Sequence, residues 1–593
     1  MIVMKDLFEL VYLIYEGKLE TQREFADRMF ISLGKVNTLL KEAIAKEYIV
    51  DQKGYKLTDK GQSLLNSHKV DNAIIMAAGF GSRFVPMTYE TPKGLLEVHG
   101  EVMIERQIKQ LHEVGITDIT IIVGYLKEMF EYLTDLYGVK LIYNPDYSIK
   151  NNISSLYYAK KEMKNTYILT SDIYMVDNIY REFENVSFYA AEYFEESTDE
   201  WVVKVNKDNL ITSINPSGGE NTWGMYGPAF FKEDFSKKMI EYIDDIYDDK
   251  SCAQYYWEDV YLNNKDTLDM YIRKYPKGTI LEFESLEELR IYDKSYLKFS
   301  RSEILEVIKE VFEVELSDIV RLRTLKEGMT NDSFLFEVKG KKYVFRNPGK
   351  GTEYLINRNQ EAHVYEVIKP LHISDDVVYL NPEKGYKITS FVPDSRTIDP
   401  NHVEEVDLAF EKLRILHGSG LKTEHNFDIE ERIQFYHQLC IDNHAILFKD
   451  FDEVYENIKK VIDLLKSIPR EKVLCHIDSV DVNFLLADGE ITILDWEYSG
   501  MADPLIDIAM FVAYANKQDD EIVDLLDRYL ERDHTEEELL IVQAYVSLAG
   551  FLWGLWTQYK QAYGEDFGTY GMEQHQYGRK YSRIVLNKVK NDA

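Results

Sequence analysis

Two short stretches of this chain carry residue types at spacings that could do phosphate chemistry. In "IIMAAGFGSRFVPMTYETPK", residues 74–93, an apolar run enters Ala78-Gly79-Phe-Gly81, followed by Arg83 and then by Pro92-Lys93. Two glycines let backbone N–H groups come close to phosphate oxygens. Arg83 and Lys93 would offset the charge that grows on β- and γ-phosphates as pyrophosphate departs. The loop is not a dinucleotide fingerprint, because Phe84 stands where a third Gly or Ala is required. It is not a P-loop either, since no Gly-Lys-Ser/Thr closes it.

The second stretch, "VLCHIDSVDVNFLLADGEITILDWEYSG", sets His476, Asp478 and Asn483 on one short loop and Asp495 twelve residues further on. This resembles the catalytic loop and metal-binding strand end of kinase-like phosphotransferases, in the aminoglycoside and choline kinase branch. The resemblance implies that Asp478 orients and deprotonates an acceptor hydroxyl, that Asn483 and Asp495 hold Mg²⁺ on ATP, and that His476 braces the loop.

Three regions must position these residues. Residues 1–69 read as three helices, a hairpin with Lys53-Gly54 at its tip, and a helix, which resembles a winged helix-turn-helix of the MarR-like kind. Residues 70–295 alternate apolar strand runs ("NAIIMAA", "ITIIVGY", "KLIYN", "YILTSD") with helical patterns. That pattern predicts a doubly wound, mostly parallel α/β sheet with ligands at its C-terminal strand ends. Residues 296–593 run from a helix through the hairpin "FLFEVKG"/"KYVFRNPG", placed at Gly340-Lys341, into a mostly helical remainder, the plan of a bilobal kinase-like fold. The fold class expected is therefore multidomain α/β and α+β.

The loop at 79–93 with its Arg and Pro-Lys resembles nucleoside-triphosphate transferases that activate sugars and alcohols. Together with "KNNISSLYYA", "LTSDIYM" and "YYWEDVY", it resembles phosphocholine cytidylyltransferases, over nearly all of residues 72–293. Such transferases need a carboxylate for magnesium at a strand end, and Asp172 closes "YILTSD". Glu258 and Asp259 both stand as the second carboxylate. Asn151, Asn152 and Ser154 open a helix suited to reading base and ribose. The resemblance implies CTP as nucleotide and an aromatic box containing Trp257 for a quaternary ammonium, with Trp201 and Trp223 as further candidates.

In the C-terminal region, the kinase resemblance puts Gly328, Thr330 and Asn331 in the phosphate-covering loop, Arg346 in place of the β3 lysine, and Glu361 as its helix partner. The "WGLW" segment resembles choline kinases. With Tyr498 and Tyr577, its Trp553 and Trp556 would cage a trimethylammonium group. Asp503 and Asp507 are expected to brace the active-site loop.

Composition narrows the alternatives. A net charge of −34 argues against general nucleic-acid binding. Residues 1–69 differ, with eleven Lys and Arg against ten Asp and Glu, so DNA binding and docking both stay open for that segment. Three scattered cysteines suggest neither disulfides nor a zinc site. No signal peptide and no apolar stretch of about 18 residues is recognised, which predicts a cytoplasmic protein without membrane insertion. The reading is a bifunctional transferase acting on choline, phosphocholine, ATP and CTP with Mg²⁺ at both sites; its oligomeric state stays open. Ethanolamine, another amino alcohol or a sugar are the rival substrates, and a DNA-binding regulator with ligand-sensing domains is the rival class.

Overall fold

The computed structural model describes residues 2–592 apart from 53, 326–330, 350–354 and 563–566. The chain divides into two compact units, Met1–Thr324 and Leu325–Ala593. Helix Glu303–Phe312 therefore groups with the first unit, and its first N–H donates to Glu90 Oε1 at 2.9 Å.

In the first unit, strand Asn72–Ala77 is buried along its whole length. Its residues alternate between two cores, as a strand covered on both faces must. Ala73, Ile75 and Ala77 pack with Ile104, Ile108 and Leu111 on one side. Ile74 and Met76 pack with Ile153, Leu156 and Ala159 on the other. Ile119–Val123 and then Lys140–Tyr143 lie parallel on one flank of this strand, and Thr166–Thr170 lies parallel on the other. The order reverses between Asn72–Ala77 and Thr166–Thr170. The C-terminal ends at this reversal are the place where such sheets hold ligands. Antiparallel strands Thr222–Phe231, Phe188–Phe194, Val202–Val205 and Ile211–Asn215 extend the sheet, and Tyr271–Lys274 joins it parallel to Phe188–Phe194.

The first 69 residues form helices Ile2–Glu16, Gln22–Met29 and Leu33–Ala45, the antiparallel pair Ile49–Asp51/Tyr55–Leu57, and helix Asp59–Asn66. Thr21, Ser32 and Thr58 cap the helices that follow them, each accepting a backbone N–H. Phe183 of the following region is buried in the core of these helices, and Arg181 Nη1 meets Glu9 at 2.9 Å.

In the second unit, Asn331–Val338, Lys341–Pro348, Tyr386–Ser390 and Val377–Asn381 lie side by side as antiparallel strands. Their first hairpin turns on Lys339-Gly340, one residue earlier than the sequence suggested. Both residues have positive φ (52° and 75°), as a two-residue turn matching the strand twist requires. Helix Arg358–Ile368 follows, then a mostly helical lobe with the short pairs Val473–Cys475/Gly500–Ala502 and Phe484–Ala487/Glu490–Ile493.

One expectation fails here. Helix Glu536–Ala562 is long and apolar enough to cross a membrane, because no charge interrupts Leu539 to Tyr559. Its apolar window is 89% buried within the protein, which makes it a core helix of this lobe.

Candidate active sites

At the crevice of the first unit, a cavity of about 310 Å³ is lined by Ala78, Gly79, Gly81, Lys93, Asp172 and Glu282, among others. Backbone geometry fixes this cluster. Gly81 has φ 72°, and a Cβ there would come within 3.2 Å of the Lys93 side chain. A Cβ on Gly94 would lie 2.6 Å from Ser171, so the Lys93-Gly94 turn is pressed against the strand end that carries Asp172. Lys93 Nζ consequently sits 2.8 Å from Asp172 Oδ2.

Burial alone would push the Asp172 carboxyl up; the Lys93 ammonium outweighs it and holds the group below its ordinary value. Glu282 goes the other way, pushed up to about 8 by burial and then by the Asp172 charge. It reaches the cavity on strand Ile280–Glu282, which pairs with Ile173–Met175. Two oxygen donors in one cavity, one strained by the other's charge, are a donor set that a hard divalent cation relieves.

Beside this cavity, Asn152 Oδ1 accepts from the Trp257 N–H at 2.8 Å, and its amide nitrogen lies 3.5 Å from Glu258 Oε2. Tyr189 donates its hydroxyl to Glu258 Oε1 at 3.2 Å. Burial pushes Glu258 up to about 7. The rings of Trp201 and Tyr256 meet edge to face at 6.4 Å.

The second unit holds a cavity of about 650 Å³ whose lining includes Asp478, Asn483, Asp495, Tyr498, Trp553 and Trp556. Asn483 Nδ2 donates to Asp478 Oδ2 at 2.9 Å. Burial first, then the charges of Asp495 and Glu497, push Asp478 well above the usual carboxylate range. Asp495 has φ 59°, and its Oδ1 is buried without a hydrogen bond, 3.6 Å from Arg346 Nη1. An orphaned carboxylate oxygen near an Asn amide whose nitrogen is already engaged fits a Mg²⁺ site of oxygen donors.

Around this centre the polar groups interlock. Arg346 grips Glu361 through both nitrogens (2.5 and 3.0 Å). Burial would raise Glu361, yet the Arg346 guanidinium holds it at about 2. Arg358 bridges Glu361 and Glu497 at 2.9 Å each, and donates to Asn331 Oδ1 at 3.0 Å.

Behind the His476–Asn483 loop, Asp507 accepts the backbone N–H groups of His476 and Ile477 (2.9 and 2.6 Å) and meets His417 Nε2 at 2.9 Å. Ile477 is held at φ 73°, a strained value for a β-branched residue that these bonds stabilise. Asp503 pairs with Arg470.

Aromatic rings line the cavity in two groups. Tyr498 meets Trp553 edge to face at 6.0 Å, Trp553 meets Trp556 at 6.3 Å, and Tyr514 meets Tyr570 at 5.9 Å. All five line the same cavity as Asp478.

Comparison with known proteins agrees with two sites on one chain. Residues 73–181 match the MobA-like NTP transferase domain, and residues 322–579 match the choline/ethanolamine kinase family. A choline-phosphate cytidylyltransferase of Streptococcus pneumoniae is 37% identical over 218 residues, 37% of this chain and 95% of the relative. The chain belongs to the cytidylyltransferase family. A 2-aminoethylphosphonate cytidylyltransferase of Lancefieldella rimae is also 37% identical, over 235 residues, 39% of this chain and 95% of that protein. The crystal structure of choline kinase LicA from Streptococcus pneumoniae is 28% identical and covers 48% of this chain and 100% of that one, with a TM-score of 0.42. By the match of residues 322–579, this cytidylyltransferase carries a choline/ethanolamine kinase domain on the same chain.

Several residues named from sequence lie elsewhere in this cytidylyltransferase. Trp257 is not among the residues that line the cavity: it is stacked on Tyr189 and edge-on to Phe231 in the core. Asp259 is spent on its own helix, accepting the Tyr256 N–H at 2.8 Å. Trp223 already has the Lys274 ammonium 4.7 Å above its face. Arg83 is 70% exposed on its side chain and pairs with Glu284. Ser154 lines the cavity, but its hydroxyl donates to Asn151 O at 2.8 Å.

In the kinase domain, Tyr577 is buried and donates to Lys517 O at 2.6 Å, so it belongs to the core. His476 is fully buried and its Nε2 meets Leu494 O at 2.8 Å, a contact that ties its loop to the Asp495 turn. Gly328 and Thr330 lie outside the described residues. Sequence reading missed Glu282, Tyr514 and Tyr570. Tyr570 stood within reach, in the Tyr- and Trp-rich stretch after "WGLW"; Glu282 had no motif around it.

Proposed function

We propose that this chain makes CDP-choline in two consecutive steps. In the kinase domain the choline hydroxyl attacks the γ-phosphorus of ATP, the bond to the β-phosphate oxygen breaks, and ADP leaves. Asp478 takes the hydroxyl proton. In the cytidylyltransferase domain a phosphocholine oxygen attacks the α-phosphorus of CTP and pyrophosphate leaves, with Lys93 offsetting the charge on the departing group.

The observation that carries this reading is the ring-lined cavity that also holds Asp478. A trimethylammonium group cannot donate hydrogen bonds, and ring faces attract it through their quadrupole. In the other domain Trp201, Tyr256 and Glu258 would receive the same head group. Asp172 and Glu282 would hold Mg²⁺ there, and Asn483 and Asp495 in the kinase domain; the ion would neutralise phosphate charge in both. Arg346, pinned by Glu361, would face the ATP phosphates.

A second reading keeps the chemistry and changes the substrate to a primary ammonium compound. It is supported by Glu258, whose carboxylate suits an N–H donor, and by the equal identity to the 2-aminoethylphosphonate enzyme. Competition between choline and ethanolamine, with kcat/KM measured for each, decides between the readings: the first requires choline to be preferred at least tenfold.

Residues 1–69 fit a winged helix used for docking. They contribute Glu9 to an ion pair with Arg181, and Lys35 on the third helix pairs with Asp6. Retardation of DNA on a gel, lost steeply with salt, would instead favour the regulator reading. A cytoplasmic location accords with these substrates.

A further inference from the structure

Between the N-terminal helices and the cytidylyltransferase sheet lies a cavity of about 580 Å³, nearly twice the crevice at Lys93, and neither reaction uses it. In a chain of net charge −34, four lysines line it: Lys5, Lys46, Lys232 and Lys238. Asp234, Asp266 and Asp269 line it too, but Asp266 meets Lys265 at 3.0 Å. Lys46 is committed to Glu42 at 2.8 Å.

Three ammonium groups then remain, facing the Asp234 and Asp269 carboxylates. Lys5 Nζ donates to the Asp208 carbonyl at 2.9 Å and stands 4.1 Å from the Tyr271 ring centre; among the described residues no carboxylate pairs with it. Burial depresses its pKa to about 8, against the opposing pull of the Asp6, Glu9 and Asp208 carboxylates. Lys238 donates to the Thr267 carbonyl at 2.7 Å. Lys232 precedes the 14-residue helix Glu233–Ile246, whose first turn carries Glu233 and Asp234, so the lysine itself is the positive group at that wall. Phe8, Tyr48 and Tyr271 supply ring surface. A half-buried lysine with no carboxylate in ion-pair contact among the described residues, two further lysines and ring surface around a space this size suit a phosphorylated small molecule.

We propose that this cavity is a third ligand site, which binds a phosphate-bearing small molecule through Lys5, Lys232 and Lys238. The claim is independent of which amino alcohol the catalytic sites accept. The test is calorimetric titration of the full chain, carrying Lys93→Ala and Asp495→Ala to weaken both catalytic phosphate sites, in magnesium-free buffer. Inorganic pyrophosphate and CDP serve as separate probes.

One equivalent of either probe should bind, and adding Lys232→Glu with Lys238→Glu should weaken it by at least about tenfold. Lys5→Met, which removes no ion pair, should weaken it in the same direction and guards against a folding defect in the double variant. Binding of CDP without pyrophosphate would also support the site and assign part of the affinity to the rings. No binding of either probe, or affinity unchanged in both sets of variants, would overturn the proposal.

Discussion

Asn483 Nδ2 lies 2.9 Å from Asp478 Oδ2 and 2.9 Å from the Asp478 carbonyl oxygen, so one amide holds both the side chain and the backbone of the proposed base. The amide oxygen is what remains for a cation. Asp478→Asn keeps this shape and removes the base. Choline phosphorylation should fall by about 10²–10⁴-fold, while cytidylyl transfer from CTP to supplied phosphocholine should stay within twofold. Separate assays of the two half-reactions read this directly.

The ring wall separates function from packing. Trp553→Ala should raise KM for choline by roughly 30-fold, the equivalent of about 2 kcal/mol for a desolvated cation–π contact, and change KM for ethanolamine by less than about threefold. Tyr577→Phe removes a hydroxyl that bonds Lys517 O, meets Asn516 Oδ1 and accepts from Gln518 Nε2. It should leave both KM values alone and cost roughly 1 kcal/mol in thermal stability. Equal losses for the two substrates in Trp553→Ala would remove the cage.

Glu258, pushed up to about 7 by burial, is partly protonated near neutrality. A cationic head group favours its ionised form, so binding releases protons and KM for phosphocholine should fall as pH rises from about 6 to 8. Glu258→Gln should flatten that profile. The buffer dependence of the binding enthalpy reports the proton release independently.

The Arg346–Glu361 pair makes an acid-stability prediction. The folded pKa of Glu361, about 2, lies below its ordinary 4.5, so the pair's contribution is fully present above about 4.5. It is lost as pH falls from about 5 toward 2. A shift of this size corresponds to roughly 3 kcal/mol. Glu361→Gln should melt lower at pH 7 and lose less stability on acidification than the unsubstituted chain, as followed by circular dichroism.

Both catalytic loops were legible in the sequence because their chemistry is local. Gly79 to Lys93 and His476 to Asp495 each fold as short turns and elements close in sequence, so spacing brings their residues together, while the roles came from the resemblance. The sheet was legible for a related reason: "NAIIMAA" and "ITIIVGY" are apolar throughout, as strands covered on both faces must be.

What failed was decided by tertiary packing. Trp257 and Tyr577 were assigned to cages by residue type, yet each sits on the inward face of its helix and is consumed by the core. Glu282 reaches Asp172 only because Ile280–Glu282 pairs with Ile173–Met175 across a separation of more than 100 residues, which no spacing encodes. Leu539 to Tyr559 looks like a membrane span by composition, and its partners in the helical lobe bury it instead.

The most direct test of the account is phosphorus NMR of the full chain with choline, ATP, CTP and Mg²⁺. Phosphocholine should appear first and convert to CDP-choline with release of pyrophosphate. The Lys93→Ala chain should stall at phosphocholine, and the Asp478→Asn chain should form CDP-choline only when phosphocholine is supplied. Failure of unsubstituted protein to form either product from choline, with phosphorylation of ethanolamine or no turnover at all, would contradict it.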